Sequence, residues 1–136
     1  MQTARIVSLL VALQLAFLSG CSSTVPATVT MRPGGPLQPD AAIFLSARVQ
    51  QMRIAQSLRD ARLTTTDQMR DADYTLEVRV GRSRSNAACG GVNNVAYILT
   101  LNGSRVMVIK GRGRTGSCTP SVFDDMSRKL ASFAGP

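Results

Sequence analysis

Val95-Ala-Tyr-Ile-Leu-Thr-Leu-Asn-Gly-Ser-Arg-Val-Met-Val-Ile109 is the stretch that decides the fold of this chain. Two runs rich in β-branched and aliphatic residues flank Asn102-Gly103. An Asn-Gly pair between such runs predicts a hairpin, because a type I′ turn needs φ > 0 at both central positions. A two-residue turn also fixes which residues face each other. The predicted facing pairs are Leu101 with Ser104, Leu99 with Val106, and Tyr97 with Val108.

A third strand precedes this hairpin. In Tyr74-Thr-Leu-Glu-Val-Arg-Val80 apolar and polar residues alternate, which predicts one buried and one solvated face. Leu63–Thr66 is a candidate short strand before it. The three longer strands would form an antiparallel meander. On its first and third strands the predicted core-facing side chains are Leu76, Val78, Val80, Val106 and Val108.

Helical periodicity lies on both sides of the meander. Apolar residues recur at spacings of three and four between Arg48 and Ala61, and again between Ser121 and Phe133. We interpret Ala41–Ser46 as a first strand; the alternative is one long helix with Asp40 as its N-cap. The order strand, helix, strands, helix predicts an α+β domain, a mostly antiparallel sheet with two helices packed on one face. The predicted apolar stripe of the first helix is Val49, Met52, Ala55 and Leu58, with Ile54 beside it.

The N-terminus has the three parts of a secretory signal: a charge at Arg5, an apolar run from Ile6 to Leu18, and small residues after it. The run is shorter than the ~20 residues that cross a bilayer. Leu18-Ser19-Gly20-Cys21 resembles a bacterial lipobox, in which the cysteine is acylated and the bond before it is cut. The alternative is an ordinary signal peptide, with Cys21 a plain thiol.

The lipobox resemblance implies a signal peptide at residues 1–20, a lipidated tether at residues 21–40 and a folded domain at residues 41–136. Pro and Gly in the tether favour an extended linker that reaches roughly 60 Å at about 3.1 Å per residue. Ser22 stands where an Asp would resemble an inner-membrane retention signal. We therefore expect a covalent lipid on Cys21 that anchors the chain in the outer membrane, with the domain facing the periplasm.

Two cysteines remain in the predicted domain. An oxidising compartment favours a disulfide between Cys89 and Cys118. Closing that loop of about 29 residues would stabilise the fold by roughly 3–4 kcal/mol, because it restricts the unfolded chain. The alternative is two buried free thiols. A metal site is not expected, since the chain has no His and only these two thiols in its folded part, and no other cofactor is expected.

The chain is basic. Without residues 1–20 it keeps 15 Lys+Arg against 8 Asp+Glu, a net charge of +7. Such a surface favours anionic partners such as lipid phosphates or lipopolysaccharide, while the compartment excludes nucleic acid. Side chains alternate along a strand, so the core-facing side of the first and third meander strands continues into a cluster of cations near the predicted disulfide. This cluster is a candidate anion site. The alternative is a solvated extension of the strands whose charges prevent edge pairing. The five cations are Arg82, Arg84, Lys110, Arg112 and Arg114.

The other face of the predicted sheet carries apolar residues at Ile98, Met107 and Ile109. A two-layer fold leaves that face open, and an exposed apolar patch suggests contact with a protein. The alternative is that the linker around Thr28–Met31 folds back over the patch.

No catalytic residues are predicted. The sequence lacks His, a nucleophile elbow and a Walker-type phosphate loop. The close acid pairs, Asp71/Asp73 and Asp124/Asp125, lie at a turn and at a helix start, where carboxylates commonly have structural roles.

The stretch Ala72-Asp-Tyr-Thr-Leu-Glu-Val78, after an amphipathic helix and a short Thr-rich run, resembles small periplasmic lipoproteins of Gram-negative bacteria that help to assemble envelope complexes. The resemblance covers roughly residues 41–133. It implies a non-catalytic interaction or assembly module with an envelope protein as partner. The alternative is a lipoprotein that uses its cations to bind a lipid or saccharide phosphate. Cys21 is the one functional residue that the resemblance carries over.

Overall fold

The computed structural model describes residues 37–81, 91–116 and 121–134, and the backbone of Val25–Met31. Cys21, Cys89, Cys118, Arg82 and Arg84 lie outside the described residues, so the lipid anchor and the disulfide stay predictions. The strands are β1 Val25–Met31, β2 Ala42–Ala47, β3 Thr64–Thr66, β4 Tyr74–Val80, β5 Val92–Leu101 and β6 Ser104–Arg114. The helices are α1 Gln51–Asp60 and α2 Val122–Ala131, with short 3-10 turns at Met69–Asp71 and Ser132–Ala134.

The six strands form one sheet in the order β1-β6-β5-β4-β2-β3. β4, β5 and β6 are the predicted meander, β1 extends it antiparallel, and β2 pairs in parallel with β4 and β3. Both helices contribute to a single core against one face of the sheet, through residues such as Leu58 and Phe123. The predicted α+β class is therefore confirmed. None of the described helices combines the length and apolarity needed to cross a bilayer.

The first predicted strand is confirmed, whereas the first predicted helix begins later than expected. Ala42–Ala47 is a strand, so the alternative of one long helix from Asp40 is wrong. Helix α1 begins at Gln51 rather than Arg48, because Gln50 adopts a left-handed conformation at φ 53°. Val49 and Met52 are consequently 50% and 86% exposed and do not belong to the buried stripe, contrary to prediction. The residues of α1 that are buried are Ile54, Ser57 and Leu58.

The hairpin turn forms as predicted, but the predicted pairing of β5 with β6 does not continue beyond it. Asn102 and Gly103 have φ of 50° and 80°, and Leu101 faces Ser104. The register then shifts beside Thr100, so that Leu99 faces Met107 and Tyr97 faces Ile109. The predicted pairs with Val106 and Val108 are wrong. The physical reason is a β-bulge, which places an extra residue of β6 opposite one residue of β5.

This bulge exchanges the two faces of β6, because side chains alternate along a strand. Met107 and Ile109 are 3% and 1% exposed and belong to the core. Farther along the strand, a Cβ on Gly111 would lie 3.2 Å from Sδ of Met126 on α2. Odd-numbered residues of β6 beyond the bulge therefore face the helices, and even-numbered residues face away.

Part of the predicted linker is a strand. Val25–Met31 pairs with β6 at the edge of the sheet, with Thr28 opposite Lys110 and Met31 opposite Met107. These residues form the edge strand of the sheet, which contradicts the alternative that the linker around Thr28–Met31 folds back over its face.

Helix α2 is confirmed within the predicted span. The Ser121 N–H donates to Asp124 Oδ2 at 3.4 Å at the start of the helix. Asp124 and Asp125 lie in the first turn, and Arg128 and Lys129 in the last, which matches the polarity of the helix dipole.

Buried hydrogen bonds join the helices to each other and to the sheet. Ser57 Oγ of α1 donates to Asp124 Oδ1 at 2.8 Å. The Tyr97 hydroxyl of β5 lies 3.1 Å from Ser127 Oγ and donates to the Phe123 carbonyl oxygen at 3.3 Å. Burial raises the pKa of Tyr97 far above its usual range, so this hydroxyl stays protonated and available as a donor.

Candidate functional site

We call the side of the sheet that points away from the helices the open face. The register defines its members: Glu77 pairs with Ile98, and Ile98 pairs with Val108. Alternate residues of each strand share a face, so Arg79 of β4 and Lys110 of β6 also belong to it. Both described helices lie on the other side of the sheet.

Strand β6 carries a line of cations along the open face, which we call the cation row: Lys110, Arg112 and Arg114. All three are exposed. Residues two apart on a strand are separated by roughly 7 Å, so the row presents three positive charges over about 13 Å. The bulge in β6 creates this arrangement, because without it the same side chains would point toward the helices.

The charge of the strands is concentrated on this face. Among the described residues, the six strands contain five cations and one acid, and the register places all of them on the open face. They are Arg79, Arg105, the three residues of the cation row, and Glu77. Arg105 and the cation row have no carboxylate within 4.0 Å in the described part of the chain.

Glu77 is paired with Arg79. The Arg79 Nε lies 2.7 Å from Glu77 Oε1, and both side chains remain partly exposed. The hydrogen bond from Arg79 lowers the pKa of Glu77; desolvation opposes this in part, and the charges of Arg79, Arg105 and Arg48 assist it. The cations that act on Glu77 therefore lie on β4, on β6 and just after β2.

The predicted anion site is partly assembled. The structure brings Lys110, Arg112 and Arg114 together, but on the open face and not as an extension of the core-facing side. Arg82 and Arg84 fall in a segment that is not described. Sequence reasoning missed Arg79 and Arg105 as members, although the alternation in β4 already placed Arg79 on its solvated side.

The predicted apolar interface is not formed as expected. Met107 and Ile109 lie in the core, so their assignment to the open face is wrong. Ile98 is on the open face, as predicted, but it is only 5% exposed. The apolar side chain of the open face that is well exposed is instead Val92, 49% exposed and opposite Arg114.

A separate cleft of about 390 Å³ lies where β2 begins and both helices end. Asp40 and Arg62 line it, and both have left-handed backbone, with φ of 59° and 66°. The Leu63 N–H bonds to the Leu58 carbonyl at 3.0 Å, so Arg62 occupies the helix C-terminal position that usually favours glycine. Sequence reasoning missed the cleft because separate segments form its walls. Most of those walls are Ala, Leu, Pro and backbone.

The acid pairs singled out in the sequence have structural roles where contacts are described. Asp73 Oδ2 accepts the Ala42 N–H at 2.8 Å and joins β4 to β2. Asp124 caps α2 and accepts from Ser57, while Asp125 pairs with Arg128. Among the residues that the structure describes, no three of the types His, Cys, Asp and Glu cluster in a way that could hold a metal ion.

No protein-family model and no curated protein match this chain. The solved structures similar to it include two described as PelC dodecamers from Paraburkholderia phytofirmans. One, a single-substitution variant, has 20% identity and a TM-score of 0.44 over 79% of this chain and 93% of its own. The other has 18% identity and a TM-score of 0.45 over 79% of this chain and 94% of its own.

Proposed function

We propose that this chain is an outer-membrane lipoprotein, acylated at Cys21 and facing the periplasm, that acts as a non-catalytic binding module of the cell envelope. Its binding surface is the open face, and its ligand is an anionic component of the envelope. The lipobox supports the anchor and compartment. The charge of the open face supports the class of ligand.

The observation that carries the binding role is the segregation of strand charge. Five cations and one acid share one face, and four of the cations have no carboxylate partner among the described residues. Like charges this close repel one another, and a bound anion relieves that repulsion. Arginine side chains add selectivity for phosphate or sulfate, because the guanidinium group forms two parallel hydrogen bonds with such groups.

This proposal favours anion binding over docking through an apolar patch. The apolar alternative depended on Met107 and Ile109, and both are core residues. An envelope protein that docks on the open face would need an acidic surface, because electrostatic complementarity governs which partners can approach.

The test is the salt concentration that elutes the full chain from immobilised dextran sulfate, a soluble polyanion used as probe. Arg112→Ser with Arg114→Ser should elute at clearly lower salt than the wild type. The matched control is Arg59→Ser with Arg128→Ser, which removes the same charge from exposed positions on the helical layer. Equal elution of both double variants would show that net charge, and not the open face, binds the polyanion, and would overturn the proposal.

A further inference from the structure

The N-terminal strand brings the fold close to the predicted anchor. β1 begins at Val25, four residues after Cys21. A trans peptide chain spans at most ~3.6 Å per residue, so Val25 can lie no more than about 14 Å from Cys21. This replaces the roughly 60 Å reach of a free linker with a short connection. This placement of the fold near the membrane rests on the proposed function, because it requires the acyl chains on Cys21.

The short connection reaches the sheet beside the cation row. In the pairing of β1 with β6, Val25 is opposite Arg112 and Thr28 is opposite Lys110. Paired strands are about 4.8 Å apart, so the Arg112 backbone lies within roughly 20 Å of the anchored residue. Acylation at Cys21 and the exposed cations would therefore place the same corner of the sheet against the lipid headgroups.

We propose that the open face docks on the phosphate-bearing leaflet that holds the anchor, with the cation row contacting the phosphates of anionic phospholipids. Lys110 contributes a point charge, and Arg112 and Arg114 contribute bidentate donors. Beside the row, Val92 lies opposite Arg114 and is 49% exposed, but one half-exposed valine contributes less than three cations. Docking is consequently electrostatic and weakens as salt shortens the screening length.

The tether is what favours a membrane over a soluble polymer as the ligand. Once Cys21 is inserted, the headgroups become an intramolecular partner at high effective concentration, whereas a free polymer gains nothing from the anchor. Each Lys or Arg near an anionic surface contributes about 1 kcal/mol, or about fivefold in partitioning, so three cations together contribute roughly 100-fold.

The two lysines of the chain allow this contact to be measured, because one lies at the proposed contact and the other lies away from it. Lys110 lies in the cation row. Lys129 is exposed on α2, in the helical layer on the other side of the sheet. Full-length lipidated protein is reconstituted in vesicles of phosphatidylcholine mixed with phosphatidylglycerol, or of phosphatidylcholine alone. Acetylation by acetic anhydride is then followed at each lysine by mass spectrometry.

Acetylation of Lys110 should slow on the anionic vesicles and recover in high salt, while that of Lys129 should stay constant. Arg112→Ser with Arg114→Ser should reduce the protection of Lys110 by roughly 25-fold. Equal Lys110 rates on the two kinds of vesicle would overturn membrane docking. If dextran sulfate binding survives in that case, the proposed function stands without this inference; if it is also absent, both fail.

Discussion

At the scale of single residues, Glu77 limits how positive the open face becomes. It is the one acid in the described strands, and it pairs with Arg79 at 2.7 Å. The pair neutralises the cation that β4 contributes to the open face, two strands away from the cation row. Because the folded-state pKa of Glu77 is lowered, the pair contributes stability above the ordinary carboxyl pKa. That contribution is lost as pH falls through the lowered value.

Glu77→Gln should tighten polyanion binding by roughly fivefold, because it adds one net positive charge to the face while keeping an acceptor for Arg79. Elution from dextran sulfate measures the effect. Wild-type binding should also strengthen as pH falls through the lowered pKa of Glu77, below the ordinary range of a carboxyl group, because Glu77 then takes up a proton. If the difference between wild type and Glu77→Gln persists unchanged through that pH range, Glu77 does not set the charge of the face.

The hydroxyl of Ser57 joins the two helices through a hydrogen bond. It is buried and donates to Asp124, a carboxylate that also caps α2. Ser57→Ala should lower the free energy of unfolding by about 1–2 kcal/mol, since a hydrogen bond to a charged group is lost. Urea denaturation measures it. Ser46→Ala, at an exposed position of β2, is the matched control and should change the value by less than about 0.5 kcal/mol.

At the scale of elements, the bulge in β6 determines which surface can bind. The Asn102-Gly103 turn, the three meander strands and both helices follow from local sequence, and all of them are confirmed. The bulge could not be predicted, because a two-residue turn is compatible with an unbroken ladder and with an interrupted one. Its cause is tertiary: it turns Met107 and Ile109 toward the helices and brings Gly111 against Met126.

Gly111 should tolerate little added volume, because its missing side chain is the space that α2 occupies. Its Cβ would lie 3.2 Å from Met126 Sδ and 3.7 Å from Val122 Cγ2. Gly111→Leu should therefore lower the free energy of unfolding by about 1–3 kcal/mol through overpacking. Thermal or urea denaturation is the measurement.

Gly111→Ala serves as the graded control for that variant, since the flexible end of Met126 is the main group that must move. Gly111→Ala should lower the free energy of unfolding by less than Gly111→Leu does. Unaltered stability in Gly111→Leu would mean that position 111 does not face α2, and the assignment of the cation row to the open face would fail with it.

At the scale of the whole molecule, helices cover one side of the sheet and positive charge occupies the other. The alternation in β4 and the basic composition predicted each part separately. Neither predicted β1, because Pro26 and the Pro/Gly-rich residues after Met31 indicate a linker, and only pairing with β6 makes Val25–Met31 a strand. Strand pairing over such a sequence separation depends on the assembled sheet, which local patterns do not report.

We expect two contributions of unequal strength to membrane attachment: the acyl chains on Cys21 and the cation row. Each buried methylene of an acyl chain contributes about 0.8 kcal/mol, so several chains on Cys21 hold far more strongly than three cations at about 1 kcal/mol each. Wild-type chain should therefore need detergent for release. The chain from Ser22 onward, which lacks both the acylated cysteine and the apolar run from Ile6 to Leu18, should remain on anionic vesicles at low salt and dissociate at high salt, as measured by vesicle sedimentation. Release of the wild type by salt alone, or an unmodified Cys21 by mass spectrometry, would contradict the anchor. Retention of that shortened chain at high salt would mean that apolar contacts, and not the cation row, attach the domain.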